Sequence, residues 1–154
     1  MDLEARADTK HPEELRLWLR LLTCTQLVER EIRSRLREQF ETTLPRFDLM
    51  AQLERIPDGL RMSELSRRMM VTGGNVTGIT DQLEAEGMVE RVEVEGDRRA
   101  FSVRLTPKGR RQFNAMAEAH EGWIVDALAG LSSAEIRSLH QLLGKVKQHF
   151  LETV

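Results

Sequence analysis

Cysteine and tyrosine are almost missing from this chain: its 154 residues include one cysteine and no tyrosine. The single cysteine, Cys24, excludes an internal disulfide framework and a cysteine-based zinc cluster. The four histidines, His11, His120, His140 and His149, include no closely spaced pair that would hold a metal on one helix face. The sequence therefore gives no reason to expect a metal or another cofactor.

Long apolar runs and a strong net charge are also absent. No segment approaches the roughly 18 apolar residues that a membrane span needs, and the start MDLEARADTK is acidic and mixed, unlike a secretion signal. We therefore expect one cytoplasmic globular domain without a membrane partner. Acids and bases nearly cancel to a formal net charge of −2, so nucleic-acid binding would have to come from a local basic patch.

Apolar residues recur at helical spacing over most of the chain and predict six helices. The predicted helices run from Pro12 to Phe40, from about Pro45 to Arg55, from a cap at Ser63 to Met70, from a cap at Thr72 to Gly87, from Thr106 and Pro107 past Trp123, and onward from a capping box at Ser132.

Between the fourth and fifth predicted helices the pattern changes to the alternation of strands. Val92 and Val94 alternate with charged residues, as do Phe101, Val103 and Leu105 with polar ones, and Glu95 to Arg98 form the turn between the two strands. The predicted fold is mainly α with a small β-hairpin wing. It comprises a winged helix-turn-helix over residues 45–106 and a helical dimerisation region over residues 11–40 and 107–151.

The last predicted helix carries an apolar stripe that is wider than one flank of a monomer requires. Its members are Ile136, Leu139, Leu142, Leu143, Val146 and Phe150. The first and fifth predicted helices are also apolar and lie far from the central motif in sequence. We therefore predict that these helices pair with their copies in a homodimer.

The fourth predicted helix has the residues of a DNA-reading element. Val76, Ile79 and Leu83 share one face, which we expect to pack inward. The opposite face carries small and amide side chains that suit base edges, and the helix start offers free backbone N–H groups for a phosphate. The predicted DNA contacts on this segment are Thr72, Gly74, Asn75, Thr77, Gly78 and Gln82. The alternative is a capped helix with a glycine-rich entry and no ligand.

The predicted wing supplies the local basic patch. Between Arg91 and Arg111 there are seven basic residues and three acidic ones. Arg98 and Arg99 fall at the hairpin tip, where one can enter a narrow minor groove while the other pairs with Asp97. A solvated loop with one Asp–Arg pair is the alternative. A second basic run, Arg30, Arg33, Arg35 and Arg37, is interleaved with glutamates and is typical of a solvated helix face, although it would also suit phosphates or an anionic effector.

The segments GGNVTGITDQLEAEGMVER and EGDRRAFSVRLTPKGR resemble the MarR family of bacterial regulators, and the resemblance covers nearly the whole chain. It implies a dimer with winged helix-turn-helix lobes, a palindromic operator, and repression relieved by a small ligand bound between the dimer and DNA-binding regions. The Gly-Gly-Asn-Val-Thr-Gly opening resembles members that regulate aromatic-acid breakdown. Gly78 and Gln82 depart from the family, because many members carry a basic residue there, so more of the DNA contact falls on the wing.

The same resemblance places an effector cleft between the first, second and fifth predicted helices. Its apolar candidates are Trp18, Leu22, Phe47 and Met50, each of which is also a core candidate. The implied effector is an aromatic carboxylate or an aromatic acyl-CoA. Some members of the family are thiol redox sensors, but Cys24 lacks their tyrosine partners, and we expect it to be a packed small side chain.

Two other function classes compete with DNA binding. The sequence shows no nucleophile with a base, no paired carboxylates in a known motif and no phosphate-binding loop, so we do not expect an enzyme. A winged helix can also serve as a protein-interaction module. Loss of salt-linked DNA binding on replacement of Arg98 and Arg99 would distinguish a DNA-binding wing from such a module.

Overall fold

The computed structural model describes residues 10–70 and 75–153, without the side chains of residues 97–99. Its elements are α1 (Pro12–Phe40), α2 (Leu44–Glu54), β1 (Leu60–Arg61), α3 (Met62–Arg68), α4 (Val76–Ala85), β2 (Val89–Val94), β3 (Asp97–Leu105), α5 (Pro107–Ala127) and α6 (Ser133–Glu152). This mainly helical fold with a small antiparallel sheet confirms the predicted fold class. No helix within the described ranges is both long and apolar enough to cross a bilayer.

The sheet has three strands in the order β1-β3-β2, one more than the predicted hairpin. The extra strand, β1, pairs antiparallel with β3 and sets Leu60 opposite Val103, where both side chains are buried. Gly59 makes this pairing possible. Its φ is +97°, and a Cβ at that position would lie 2.7 Å from the carbonyl oxygen of Val103. A two-residue strand is too short to produce an alternation pattern, so the sequence did not reveal it.

The core of the winged region holds α4 in place. Leu49 and Leu53 of α2, Leu65 of α3, Leu83 of α4 and Val103 of β3 are all essentially inaccessible to solvent. Because one face of α4 is fixed in this apolar core, its opposite face is turned outward. The core therefore determines which side chains of α4 are available to a partner.

Two predicted helix starts are wrong. The third helix begins at Met62 rather than after Ser63, and its N-cap is Arg61, whose side chain makes no capping hydrogen bond. The cause is that Arg61 ends β1 and leads directly into the helix. The fourth helix begins at Val76 with Asn75 as its cap, whereas Thr72, the predicted cap, lies outside the described residues.

The chain divides into two compact units, of which the first ends at His120 and the second begins at Glu121. In the second unit, α6 starts with the predicted capping box: the Ser132 side chain accepts from the Glu135 N–H, and the Glu135 carboxylate accepts from the Ser132 N–H. These hydrogen bonds lower the pKa of Glu135. No residue of α6 is buried in the single chain, so its apolar stripe is exposed. The predicted division into dimerisation and DNA-binding regions stays a prediction.

The first turn of α5 depends on a glycine. The Gly109 N–H donates to the Thr106 Oγ1 at 3.0 Å, and a Cβ on Gly109 would lie 1.9 Å from the carbonyl oxygen of Met88. We expect Gly109→Ala to lower the free energy of unfolding by about 3 kcal/mol, because the backbone at Met88 or at the start of α5 has to move. Urea unfolding followed by circular dichroism measures this change.

The matched control is Gly122→Ala on the same helix, where a Cβ would meet nothing within 4 Å. This substitution should leave stability unchanged or raise it by up to about 1 kcal/mol, because alanine favours helix over glycine. Equal stability of Gly109→Ala and the wild-type protein would contradict the close contact between Gly109 and Met88.

Candidate nucleic-acid interface

The exposed face of α4 is polar and small. Thr77 and Gln82 are exposed and Gly78 is partly exposed, whereas Ile79 and Leu83 are buried. The predicted inward face is therefore confirmed for Ile79 and Leu83. The helix therefore presents the Thr77 hydroxyl and the Gln82 amide, and the small Gly78 between them allows the helix to approach base edges in a DNA groove closely.

Asn75 has a structural role that the sequence prediction missed. Its Oδ1 accepts a hydrogen bond from the Gly78 N–H at 3.1 Å and so caps α4. Bidentate pairing with adenine needs both polar atoms of the amide. In this arrangement Asn75 offers a base only its NH₂ group. The other predicted contacts at the helix start, Thr72 and Gly74, lie outside the described residues.

Acidic side chains flank the reading face and are paired with arginines. Arg91 of β2 donates to Asp81 at 2.5 Å and to Glu84 at 2.7 Å. The hydrogen bond to Asp81, assisted by the charge of Glu84, raises the pKa of Arg91. At the end of α4, Glu86 pairs with Arg46 of α2. The acids next to the reading face are thus neutralised from two neighbouring elements.

The basic patch counted in the sequence is partly neutralised in the fold. Besides Arg91, Arg104 donates to Glu90 at 2.7 Å, and Arg110 lies 4.0 Å from Glu54. Lys108 donates to the carbonyl oxygen of Glu86 at 3.0 Å. The count missed these partners because the four carboxylates, which neutralise the arginines, and the Glu86 carbonyl, which only accepts from Lys108, lie outside residues 91–111. The charge excess that phosphates can use is therefore smaller than seven bases against three acids suggests.

We define the wing as β2, β3 and the turn between them. The turn at its tip is shorter than the predicted turn from Glu95 to Arg98. The turn consists of Glu95 and Gly96, and Gly96 has a φ of +86°. Arg98 and Arg99 belong to the first residues of β3. Their side chains and that of Asp97 lie outside the described residues, so the predicted Asp97–Arg brace stays a prediction.

A cleft of about 690 Å³ borders the reading face. We call it the arginine cleft; it is lined by Arg33, Arg37, Glu41, Thr42, Thr43, Leu44, Pro45, Arg46, Asn75, Gly78, Ile79 and Gln82. The Nε of Arg46 is buried and has no hydrogen-bond partner among the described residues. Three arginines therefore line the cleft beside the flank of α4 that carries three predicted DNA contacts. Two of them also pair with glutamates outside the lining, Arg33 with Glu29 at 3.7 Å and Arg46 with Glu86.

The four predicted effector residues do not line the arginine cleft. Phe47 is buried, with its ring 5.5 Å from that of Phe113, and Met50 is 2% exposed and borders a smaller cleft of about 190 Å³. Trp18 is 56% exposed on α1, and Leu22 is partly exposed. The sequence indicates that the basic run Arg30, Arg33, Arg35 and Arg37 would suit an anionic effector, and the spacing of Arg33 and Arg37, one helical turn apart, is the signal that could have pointed to this cleft.

Two further side chains, Cys24 of α1 and His120 of α5, are described here because each can change its chemical state. Cys24 is exposed in the single chain, so its thiol is not packed within the core of its own chain. The imidazole of His120 lies 4.9 Å from the ring of Phe47, and burial lowers its pKa. His120 is therefore held mainly in its neutral form near neutral pH.

Comparisons with known proteins agree with this architecture. The MarR family model matches residues 41–100. The HTH-type transcriptional regulator PecS of Dickeya dadantii is 30% identical over 73% of this chain and 69% of its own length. A crystal structure of a MarR family transcriptional regulator from Silicibacter pomeroyi has a TM-score of 0.79 and 32% identity, covering 94% of this chain and 99% of that one. The chain belongs to the MarR family.

A solved structure with DNA shares the fold. A mutant MarR from E. coli, complexed with operator DNA, has a TM-score of 0.74 and 23% identity, and the match covers 90% of this chain and 99% of that one. Membership of the MarR family makes this chain a transcriptional regulator, and that family is not one of enzymes.

Proposed function

We propose that this MarR-family regulator binds a palindromic operator as a homodimer, represses transcription, and is released by a small anionic effector bound in the arginine cleft. The observation that carries the proposal is the position of that cleft. Asn75, Gly78 and Gln82 line it and also belong to the predicted DNA-reading face. An occupied cleft would therefore change the surface that the operator needs.

The DNA contacts in this proposal come from α4, its entry and the wing. They are Thr72, Gly74, Asn75, Thr77, Gly78, Gln82, Arg98 and Arg99. Support comes from the outward face of α4 and from the two-residue turn that ends the wing. The helix supplies base-edge contacts, and the wing arginines supply charge for the minor groove and phosphates.

The homodimer is supported by apolar surface that the single chain leaves in contact with solvent. On α1, Leu17, Trp18 and Leu27 are each more than half exposed. On α6, Leu142 and Phe150 are 58% and 67% exposed. Exposed large apolar side chains on these helices are typical of an interface, and a second copy of the chain would remove them from water.

The effector class follows from the groups that line the arginine cleft. Guanidinium groups bind carboxylates and phosphates through paired hydrogen bonds. Leu44, Pro45 and Ile79 add apolar surface to the same cleft, and its volume lies in the usual range for small-molecule sites. An aromatic carboxylate or an aromatic acyl-CoA combines an anionic group with an apolar ring and suits this lining.

Substitutions in the cleft test the effector proposal. We expect the double variant Arg33→Gln and Arg37→Gln to need at least about tenfold more ligand for half-release of the operator, because two charge-assisted hydrogen bonds are lost. Benzoate, 4-hydroxybenzoate and benzoyl-CoA are titrated into the protein–operator complex, and release is followed by fluorescence anisotropy.

The matched control is Arg35→Gln on the same helix, whose guanidinium pairs with Glu31 outside the cleft. This variant should respond to ligand as the wild-type protein does. The effector proposal is wrong if none of the three ligands releases the wild-type protein, or if the cleft variant and the control respond alike. A reporter gene placed behind the operator distinguishes repression from activation. Because we propose repression, loss of the protein should raise expression of the reporter.

A further inference from the structure

The reading helix carries only acidic charge. Between Val76 and Glu86 there is no lysine or arginine, whereas Asp81, Glu84 and Glu86 are acidic. DNA phosphates repel carboxylates at close range, and the repulsion rises as water is excluded from an interface. A helix of this composition needs neutralisation from elsewhere before it can enter a groove.

Arg91 is placed to neutralise two of these acids at once. Its two terminal nitrogens lie 2.5 Å from Asp81 and 2.7 Å from Glu84, and its guanidinium carbon lies 5.2 Å from the ring centroid of Phe101. The Arg91 side chain is 24% exposed, whereas those of Asp81 and Glu84 are 61% and 42% exposed. The arginine is thus held between strand and helix, and the carboxylates lie nearer the solvent.

We propose that Arg91 is a positioning residue for operator binding, which neutralises Asp81 and Glu84 and fixes α4 against the wing without itself contacting DNA. The proposal rests on α4 being the reading helix. It assigns a different role to a residue that the sequence count placed in the DNA-binding basic patch. Arg91 acts on the DNA-binding surface through its two carboxylate partners.

Two consequences separate this role from a phosphate contact. A phosphate-binding arginine contributes to affinity whether or not Asp81 and Glu84 are charged, and its removal lowers the salt slope by about one. A neutralising arginine is needed only while its partners are charged. Its effect on operator affinity should disappear when both partners are made neutral amides.

A double-mutant cycle tests this difference. Its members are the wild-type protein, Arg91→Gln, the pair Asp81→Asn and Glu84→Gln, and the triple variant. We expect Arg91→Gln alone to weaken operator binding about tenfold, because two carboxylates are uncovered next to phosphates. The triple variant should bind within about twofold of the Asp81→Asn, Glu84→Gln pair. Fluorescence anisotropy across a salt series measures all four proteins.

The matched control for lost positive charge is Arg104→Gln, whose partner Glu90 lies on the wing and not on α4. We expect less than about a threefold change in affinity, in either background. Thermal unfolding of each variant, with Arg91→Lys as a charge-retaining variant, reveals any loss of folding. Because the cycle compares Arg91→Gln in two backgrounds, instability confined to one background appears as a shift in its melting temperature.

Three results would overturn the proposal. Equal losses from Arg91→Gln with and without the acids would show a direct phosphate contact, as would a salt slope reduced by about one in both backgrounds. If Arg91→Gln and Arg104→Gln lower operator affinity equally, Arg91 contributes only positive charge and has no specific positioning role. Failure of the wild-type protein to bind any operator would remove the proposed function itself, and this arm is measured first.

Discussion

Leu142→Glu should turn the dimer into a monomer and lower operator affinity by at least about 100-fold. Leu142 lies in the apolar stripe of α6 and is 58% exposed in the single chain, so the substitution should leave the fold of the chain intact. In the dimer, the two introduced glutamates, one from each copy, would be buried at the interface and would weaken dimerisation by several kcal/mol. A monomer contacts one half-site of a palindrome and loses the second set of contacts.

Analytical ultracentrifugation measures the dimer, and fluorescence anisotropy measures operator binding. The control is Gln141→Glu, which places the same side chain one position away on the polar side of α6 and should leave both quantities unchanged. A Leu142→Glu protein that stays dimeric would show that α6 does not form the interface.

Replacing Arg98 and Arg99 together by alanine should weaken operator binding by about 100-fold. The fold strengthens this expectation, because ion pairs engage Arg91, Arg104 and Arg110 within the protein and leave more of the contact to the wing tip. If one arginine enters the minor groove and the other approaches phosphates, the salt slope should fall by one to two.

The control for this variant removes the same charge elsewhere. Arg110→Ala with Arg111→Ala, at the start of α5, should change affinity by less than about threefold, since exposed and paired charges contribute little individually. Comparable losses in the two double variants would indicate a diffuse charge effect and would contradict a specific role for the wing tip. Circular dichroism checks that both variants remain folded.

Regular periodicity carried most of the fold prediction. The bounds of α1, Pro12 to Phe40, and the capping box at Ser132 followed from local spacing and agree with the structure. Capping residues in the sequence did not predict two helix starts correctly. Arg61 ends β1 and is also the N-cap of α3, and Asn75, rather than the predicted Thr72, is the N-cap of α4. A suitable capping residue therefore did not by itself determine where the helix starts.

The candidate site was less predictable because its residues meet through long-range packing. Arg46 and Glu86 are 40 residues apart, and the arginine cleft joins the end of α1 to the start of α4. A count of charges within a window cannot detect such partners. The effector role of Trp18, Leu22, Phe47 and Met50 stays a prediction, and only Met50 of these four lines a described cleft. Apolar character alone does not separate a cleft wall from a core or an interface.

The most direct test is binding of the purified wild-type protein to promoter DNA beside its own gene, by fluorescence anisotropy across a salt series with unrelated duplex as competitor. We expect binding at two chains per site that resists the competitor and weakens steeply as salt rises. Equally weak binding to both duplexes, at any salt concentration, would contradict a dimeric operator-binding regulator of this promoter.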